Sequence, residues 1–254
     1  MFTNRIKICS TMIQHETAVS PDTNRSIQTA VISDVHANLE ALDSVLADVG
    51  RMDLVCLGDS VGYGANPNEV LKIVRGRAST VLLGNHDYAA LTGEAGMFNA
   101  RAAMGIEWTR KRLDEDSRGY LGTLRSSTPV LLSGIQAFLA HGSPDDPLWE
   151  YVIPASHEDL FGHYLSKAGV GAIALGHTHV PFAWKGKEGI VFNPGSVGQP
   201  RDGDWRASYA VVEGSAGELR VQHQRVEYDL EKAQKKIRDA GLPEDFAARL
   251  SFGR

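Results

Sequence analysis

Eight polar side chains that could bind a metal ion or transfer a proton each follow a short apolar run in this 254-residue sequence. Runs of this length and composition are typical of buried β-strands, so the eight residues fall at five predicted strand ends. They are Asp34, His36, Asp59, Asn85, His86, His141, His177 and His179. Nitrogen and oxygen donors without cysteine suit Mn, Fe, Ni or Zn better than a thiolate site or a calcium cage. Seven of the eight suffice for two metal ions, which leaves His86 for proton transfer.

The segment Ala174–Pro181 contains two of these histidines. Ile173 to Leu175 is predicted to be a buried strand, and His177 and His179 follow it two positions apart. If the segment is extended, both rings project to the same side. Neutral imidazole is a common ligand of divalent metals, so the pair is predicted to form half of a metal site. Taken alone, however, a His-x-His sequence is more often a turn.

Each of the other groups also has a simpler explanation when it is taken alone. Asp34 could cap the helix that follows it, Gly58-Asp59 is a common turn, and His141 could be a core histidine. If the chain had no such site, these simpler explanations would have to hold at all five strand ends at once. Ligands of α/β proteins bind beyond the carboxyl ends of the strands, so the sequence predicts that the five ends converge on one site.

The elements that must position these groups alternate along the first part of the chain. Strands are predicted at Ile27–Ser33, Leu54–Leu57 and Val81–Leu83, with amphipathic helices between them that start at Leu39 and at Asn66-Pro67. This β-α-β-α-β order predicts parallel strands with right-handed crossovers. Residues 88–128 predict an amphipathic helical wall or cap beside the site. Later strands are predicted at Val130–Leu132, Ile135–Leu139, Phe182–Trp184, Ile190–Phe192, Ala207–Val212 and Leu219–Val226, a helix from Ser156 to about Lys167, and terminal helices at Leu230–Ala240 and Glu244–Leu250.

Composition narrows the class of protein. The hydrophobic content of 43% is enough for one α/β domain, predicted at residues 27–254. Residues 1–26 are predicted to be an N-terminal extension, disordered or partly a product of start-site choice, and they have no apolar run typical of a signal peptide. The net charge of −5 does not favour nucleic acid or an anionic membrane. Cys9 and Cys56 are far apart, and Cys56 lies in an apolar run, so we expect a reducing, cytoplasmic location without disulfides.

Five motifs, taken in chain order, resemble those of the calcineurin-like metallophosphoesterases. They are Asp34-Val-His36, Gly58-Asp59, Gly84-Asn-His-Asp87, His141-Gly142 and Gly176-His-Thr-His179. The resemblance covers residues 28 to 228 and is greatest to the small bacterial and archaeal phosphodiesterases, through the segments 58–64 and 193–198. It implies an α/β fold in which two mixed β-sheets pack as a sandwich flanked by helices, in four layers αββα.

The resemblance also implies the role of each ligand. Asp34, His36 and His179 would hold the first metal ion, Asn85, His141 and His177 the second, and Asp59 would bridge them. Two divalent ions, Mn most readily but also Fe, Ni or Zn, would activate a bridging hydroxide that attacks phosphorus directly, without a covalent intermediate. By the same resemblance His86 would be the general acid for the leaving group, with Asp34 and Asp87 orienting it.

Residues for substrate binding are predicted in two loops. Arg201 is a candidate phosphate clamp, because a guanidinium donates two parallel hydrogen bonds, although it could also be a solvated arginine near Asp202 and Asp204. Ser196 is assigned to substrate binding with it. Tyr63, Asn66 and Trp149 are candidates for a base or leaving-group pocket, with structural packing as the alternative.

One departure from the family pattern bears on the substrate. Protein phosphatases of the superfamily carry Gly-Asp-x-Val-Asp-Arg-Gly, whereas residues 58–64 here contain no arginine and have Tyr63 in its place. This favours a small phosphodiester or a nucleotide, and it leaves a dinucleotide polyphosphate hydrolase and a phosphomonoesterase or protein phosphatase open. The complete ligand set disfavours a non-catalytic metal-binding regulator, and the charge disfavours a nuclease. No membrane partner is expected, and the oligomeric state stays open, a homodimer included.

Overall fold

The computed structural model describes residues 27–153, 158–215 and 218–254. The predicted N-terminal extension and the predicted helix start at Ser156 lie outside these ranges. The described residues contain ten strands: β1 Ile27–Ile32, β2 Asp53–Cys56, β3 Thr80–Val81, β4 Ser127–Leu132, β5 Ile135–Ala140, β6 Ala172–Leu175, β7 Phe182–Lys185, β8 Ile190–Asn193, β9 Ala207–Ser215 and β10 Glu218–Val226. They contain eight helices: α1 Leu39–Val49, α2 Pro67–Arg77, α3 Asn85–Thr92, α4 Ala100–Arg112, α5 Glu115–Leu121, α6 Glu158–Ala168, α7 Leu230–Asp239 and α8 Glu244–Leu250. Within these ranges, no helix is long and apolar enough to cross a bilayer.

The strands form two mixed five-stranded sheets. The first has the order β10-β9-β1-β2-β3, and the second has the order β4-β5-β6-β8-β7. β1, β2 and β3 are parallel, as are β5, β6 and β8, while the remaining strands pair antiparallel. The predicted parallel β-α-β-α-β unit is therefore confirmed. The parallel strands of each sheet end at the same edge, where the predicted ligands follow them.

The alternation of apolar residues along the central strands produces four layers. In β1, Ala30 and Ile32 join the core beneath α1 and α7, whereas Val31 joins the core between the two sheets. In β6, Ala174 faces the other sheet, and Ile173 packs with residues of α6. Successive strand residues point to opposite faces, and both faces are covered here. The predicted αββα sandwich is confirmed.

The second crossover differs from its prediction in detail. β3 comprises only two residues, and beyond it Leu82 makes an isolated parallel bridge with Arg125. Asn85 begins α3, so the Asn85-His86 pair lies on the first turn of a helix instead of in a turn after a strand. Asn66 precedes α2 as predicted, but its side chain does not cap the helix; its amide donates to Glu69.

The predicted helical wall consists of three helices, α3 to α5. Ala102 and Ile106 of α4, with Leu113 after it, are buried on one face, as their spacing predicts. Leu113 and Leu121 of this region pack with Leu71 of α2 and Ala90 of α3 in a small separate core. The wall ends before Ser127, because residues 127 and 128 already belong to β4. Gly50 follows the end of α1 with a φ of 58° and a ψ of −117°, a conformation that favours glycine.

Candidate metal centre

The structure brings all eight predicted polar residues together at the ends of the parallel strands. None of their side chains is more than 4% exposed. They come from both sheets, since β1, β2 and the β3–α3 junction provide one half and β5 and β6 provide the other. The eight are Asp34, His36, Asp59, Asn85, His86, His141, His177 and His179. Burying so many polar groups is costly unless they share a ligand or a hydrogen-bond network.

Possible ligand atoms form two main groups that the structure places side by side. Asp34, His36 and His179 form one, and Asp59, His141 and His177 form the other, with the atoms of each group within 4.8 Å of one another. The Asn85 amide oxygen lies 3.1 Å from His141 Nε2 and so adjoins the second group. Asp59 also falls within 4.8 Å of His36 and His86, so it faces both groups. Two of these groups follow the ligand division that the family resemblance implied, and the assignment of each ligand to one metal ion stays a prediction.

Backbone carbonyl oxygens determine which nitrogen of three histidines is free to bind. His36, His141 and His179 each direct Nδ1 at a carbonyl, at 3.0, 2.9 and 2.5 Å, and the acceptors belong to Val61, Leu57 and Gln199. A carbonyl only accepts, so each Nδ1 carries a hydrogen, and each ring in its neutral form offers the Nε2 lone pair. His177 is reversed, because its Nε2 lies 3.2 Å from the Trp149 carbonyl, which leaves Nδ1 as the free nitrogen. Hydrogen bonds of this kind orient metal-bound histidines.

Contacts among the free atoms fit a divalent cation. His36 Nε2 lies 3.0 Å from His179 Nε2, and Asp34 Oδ1 is 3.3 Å from the latter. Asp34 Oδ1 and Asp59 Oδ2 are buried and have no hydrogen-bond partner among the described residues. Lone pairs that face one another in the interior repel unless a positive charge lies between them. The residues therefore fit divalent metal ions, as the donor types already indicated.

The electrostatic environment of the same groups favours a bound cation. Burial raises the pKa of Asp34, but His179 and the other histidines around it outweigh burial and hold it well below its usual range. Burial lowers the pKa values of His36 and His179, so these rings are neutral. Burial also disfavours charge on His141, yet Asp59 raises its pKa to about 9. Asp59 thus attracts a positive charge to this position, and a bound metal ion would displace the proton.

The backbone at the site adopts an uncommon conformation. Of the eight non-glycine residues with positive φ in the described ranges, six are candidate site residues: Asp34, His36, Asp59, Tyr63, His177 and His179. The left-handed region is unfavourable for such residues by about 1–3 kcal/mol each, and it is concentrated at functional sites. The segment around His177 and His179 is therefore not extended, in contrast to the premise of the sequence argument. Two left-handed turns direct both rings into the site instead.

The loops that carry Asp59 and Asn85 pack tightly against each other. A Cβ on Gly84 would lie 2.0 Å from Asp59 Oδ1, and the amide of His86 donates to the same oxygen at 2.8 Å. The Asp87 carboxylate accepts hydrogen bonds from three backbone amides, at 3.1, 3.2 and 2.9 Å, which belong to Gly84, Ser60 and Val61. Burial and then the charge of Asp59 raise the pKa of Asp87 to about 7. Asp87 therefore joins two loops, and the prediction that it orients His86 is not supported by its hydrogen bonds.

His86 lies at the inner wall of the cleft. Its ring centroid is 4.5 Å from that of Tyr63, 4.9 Å from that of His36 and 4.8 Å from that of Phe98. Burial, and next the charge of Arg201, lower its pKa well below the usual range, so the ring is neutral. Its Nδ1 has no partner among the described residues, so neither Asp34 nor Asp87 orients it through this nitrogen. The ring is held by aromatic packing.

A cleft of about 370 Å³ opens over the metal-binding atoms. Three of the predicted substrate residues, Tyr63, Trp149 and Arg201, line it. The other two do not. Ser196 is fully buried, and its hydroxyl donates to the backbone carbonyl of Asp34 at 2.7 Å, so it positions a ligand loop. Asn66 lies at the start of α2, outside the cleft. We therefore correct the assignment of Ser196 and Asn66 to substrate binding.

Two cleft residues were not predicted to be functional. Tyr151 packs against His177 with ring centroids 4.0 Å apart and ring planes tilted by 41°, and Arg249 of α8 reaches the cleft from the last helix. The position of Tyr151, two residues after Trp149, was a weak indication in the sequence. Arg249 offered none, because its location depends on how α8 packs.

Comparison with known proteins agrees with this architecture. A sequence model of the calcineurin-like phosphoesterase superfamily domain matches residues 27–217. The chain is 38% identical over 246 residues to an uncharacterized protein of Methanocaldococcus jannaschii, which covers 89% of this chain and 98% of that protein. The crystal structure of a metallophosphoesterase from Sphaerobacter thermophilus superposes with a TM-score of 0.79 at 36% identity, covering 91% of this chain and 100% of that one. A hypothetical protein from Pyrococcus horikoshii, at 22% identity and a TM-score of 0.79 over 89% and 98% of the two chains, shares the fold.

The two-sheet sandwich with nitrogen and oxygen ligands at its strand ends is thus the architecture of a metal-binding phosphoesterase. The chain belongs to the calcineurin-like phosphoesterase superfamily.

Proposed function

We propose that the protein hydrolyses a phosphodiester or a nucleotide phosphoester with two divalent metal ions, Mn before Fe, Ni or Zn. The observation that carries this proposal is the pair of adjacent ligand groups that Asp59 faces, each with atoms within 4.8 Å of one another. When bound, two such ions supply a water activated as nucleophile and neutralise the phosphoryl charge that grows in the transition state. The ligands are the seven residues assigned above by resemblance.

The side chains of the cleft complete the reaction. Hydrolysis breaks one P–O bond, joins the water oxygen to phosphorus, and requires a proton on the departing oxygen. His86 lies at the cleft wall as a neutral ring, so it can accept the proton that the attacking water releases and then deliver that proton to the departing oxygen. Arg201, in the same cleft, can bind the non-bridging phosphoryl oxygens through two parallel hydrogen bonds.

The shape of the cleft favours an ester with an organic group. Met97, Phe98 and Trp149 form an apolar wall beside the candidate ligands, and Phe98 and Trp149 are in edge-to-face contact with centroids 5.4 Å apart. An aromatic wall suits a nucleobase or another flat leaving group. Tyr63 occupies the position where protein phosphatases have a phosphate-binding arginine, which supports a small substrate over a phosphoprotein.

The experiment is hydrolysis of bis-p-nitrophenyl phosphate beside p-nitrophenyl phosphate, on chelator-treated protein with Mn²⁺, Ni²⁺, Zn²⁺ or Fe²⁺ restored. Asp59→Asn removes the carboxylate that faces both ligand groups. Asp53→Asn, at the exposed start of the same strand β2, is the matched control. We expect metal-dependent turnover that prefers the diester, loss of at least about a hundredfold in Asp59→Asn, and wild-type rates in Asp53→Asn.

Two results would contradict the proposal. Turnover that persists after chelation would exclude metal dependence. Two bound ions per chain without turnover of either ester would favour the metal-binding regulator.

A further inference from the structure

Arg249 brings a second guanidinium into the cleft from a helix that the catalytic motifs do not include. Its guanidinium carbon lies 5.6 Å from the centroid of the Tyr63 ring, and that of Arg201 lies 6.0 Å from the same centroid. Both side chains line the cleft over the candidate metal ligands. Arg249 also lies beyond residues 27–217, the range that the superfamily model matches.

Neither arginine has a carboxylate partner in the described part of the chain. The acidic residues nearest in sequence are bound elsewhere: Asp202 to Arg225, Asp204 to Arg206, and Asp245 to Arg101. The one described side-chain acceptor of Arg201 is Gln199, and Arg249 donates from Nε to the backbone carbonyl of Arg254. Arg201 Nε is buried without a partner among the described residues. Apart from a further contact of Arg249 with the Tyr63 side chain, most of the guanidinium N–H groups therefore have no acceptor among the described residues.

Two like charges in one cleft are unfavourable without an anion. Burial lowers the pKa of Arg249, and the charge of Arg201 lowers it further, so the two guanidinium groups repel each other. An anion bound between the two groups would offset both this repulsion and part of the cost of their burial. Guanidinium groups match phosphate in geometry as well as in charge.

The packing holds Arg249 in place. Phe246, one turn earlier on α8, packs edge-to-face on Tyr63 with centroids 5.0 Å apart. It also lies so close to α4 that a Cβ on Gly105 would approach its ring at 2.8 Å. Tyr63 in turn contacts the His86 ring. A chain of direct ring contacts thus connects α8 to the candidate metal centre, and the arginine pair lies one aromatic ring away from it.

We propose that Arg249 and Arg201 together bind a non-scissile phosphate, so that the substrates of this protein are nucleotides with two or more linked phosphates. This inference rests on the proposed function, because it assumes that the scissile phosphate lies at the metal ligands. It narrows the substrate class from phosphodiesters in general to those with a second phosphate. The aromatic wall of the same cleft is then available to the nucleoside.

The test compares one-phosphate with two-phosphate probes on the metal-loaded full chain, with free Mn²⁺ kept above the probe concentration. Inhibition of bis-p-nitrophenyl phosphate hydrolysis is measured with inorganic phosphate and with pyrophosphate. Calorimetry measures binding of a methylene-bridged nucleoside diphosphate and of the matching nucleoside monophosphate, and this readout needs no turnover. The variants are Arg249→Gln and Arg249→Lys. Arg220→Gln, at an exposed position of β10, is the control with the same change in charge.

We expect Arg249→Gln to weaken the two-phosphate probes by about tenfold to a hundredfold more than the one-phosphate probes, as for loss of a charged hydrogen-bonding group. Arg249→Lys should retain part of the preference for two-phosphate probes, since it keeps the positive charge but loses the planar two-donor geometry of the guanidinium. Arg220→Gln should behave as wild type. Equal weakening of both kinds of probe, or no change in either, would overturn the inference.

Failure of the proposed function is distinguishable from failure of this inference. If the wild type does not turn over the diester with any metal, the proposed function fails, while the calorimetric comparison still reports whether Arg249 selects a second phosphate. If turnover is present and the preference for two phosphates is absent in the wild type, only the inference fails.

Discussion

The Nε2 atoms of His36 and His179 lie 3.0 Å apart, although 143 positions separate the residues in the chain. Each ring donates its Nδ1 hydrogen to a backbone carbonyl, so both Nε2 atoms carry lone pairs that face each other. Asp34 adds a carboxylate oxygen 3.3 Å from one of them. The protein therefore concentrates electron-rich atoms at a point where only a cation relieves their repulsion. Four of the following predictions concern this point and the structure around it.

Metal ions are expected to stabilise the fold. Because binding removes this repulsion in the native state, Mn²⁺ at about a hundred times its Kd should contribute about 2.7 kcal/mol. For a chain of this size that raises Tm by roughly 5–10 °C, which differential scanning calorimetry measures. His179→Asn should lose most of the increase. His163→Asn, which changes an exposed histidine on α6, should keep it. An identical Tm with and without metal would contradict the assignment of these atoms as ligands.

Gly84→Ala is expected to disrupt the candidate metal centre through steric overlap alone. Gly84 has φ −91° and ψ 174°, which any residue adopts, but its new methyl would lie 2.0 Å from Asp59 Oδ1. Displacing that carboxylate should cost about 1–3 kcal/mol in the free energy of unfolding and reduce metal stoichiometry. Denaturant unfolding and elemental analysis measure the two effects. Gly76→Ala is the control, because it lies within α2 with open space around it and should stabilise slightly.

His86→Asn is expected to slow only reactions that need a proton on the leaving oxygen. With a poor alcohol leaving group, loss of a general acid should reduce kcat by about 10²–10⁴. With p-nitrophenolate, which leaves without protonation, the loss should stay below about tenfold. Metal content is measured in parallel, since His86 lies within 4.8 Å of Asp59 and His36. Equal losses for both leaving groups, together with a lost metal ion, would make His86 a ligand instead of an acid.

Arg201→Gln is expected to raise KM for the diester more than it lowers kcat. Its guanidinium borders the cleft, and Asp202 and Asp204 are bound to other arginines, so the alternative of a solvated ion pair does not hold. Losing two charged hydrogen bonds should weaken binding by roughly tenfold or more. Steady-state kinetics on bis-p-nitrophenyl phosphate measure this change. Unaltered kinetics would show that the arginine does not contact the substrate.

Cys56 is expected to be unreactive in the native protein. It is fully buried in β2, and burial raises the pKa of its thiol to about 12. In a Cys9→Ser background, a thiol reagent at pH 8 should label Cys56 only after denaturant unfolds the chain. Labelling at the same rate in native and unfolded protein would contradict the location of Cys56 in the core between α1 and the first sheet.

Local patterns in the sequence were sufficient for much of the fold. The strands β1, β2, β5 and β6 follow from short apolar runs, because the part of a strand that is buried on both faces needs apolar residues on both. The polar residues after these runs had to lie at the sheet edge, where buried backbone gives way to loops. Sequence patterns did not predict the local structure where strand pairing is weak or where tertiary packing determines the conformation. β3 has two residues, and the Asn85-His86 pair became helical because Asp87 fastens the helix start to the neighbouring loop.

The choice between catalytic and supporting residues needed the assembled structure. Ser196 and Asp87 occur in motifs with site residues, and the sequence assigned them functional roles. Their hydrogen bonds go to backbone atoms that hold the loops together. A hydroxyl or carboxylate has the same chemistry in either role, and only its partners distinguish the two.

The sequence by itself determined the types of the ligands and their order along the chain, because strand ends and metal donors are local properties of a few neighbouring residues. The tertiary structure alone decided the distances between those ligands, the histidine tautomers and the entry of Arg249 into the cleft. These depend on strand order, on left-handed turns and on the packing of α8 against α4, which join residues far apart in the chain. Local composition does not encode such contacts one by one; they emerge when both sheets and the last helix are packed together.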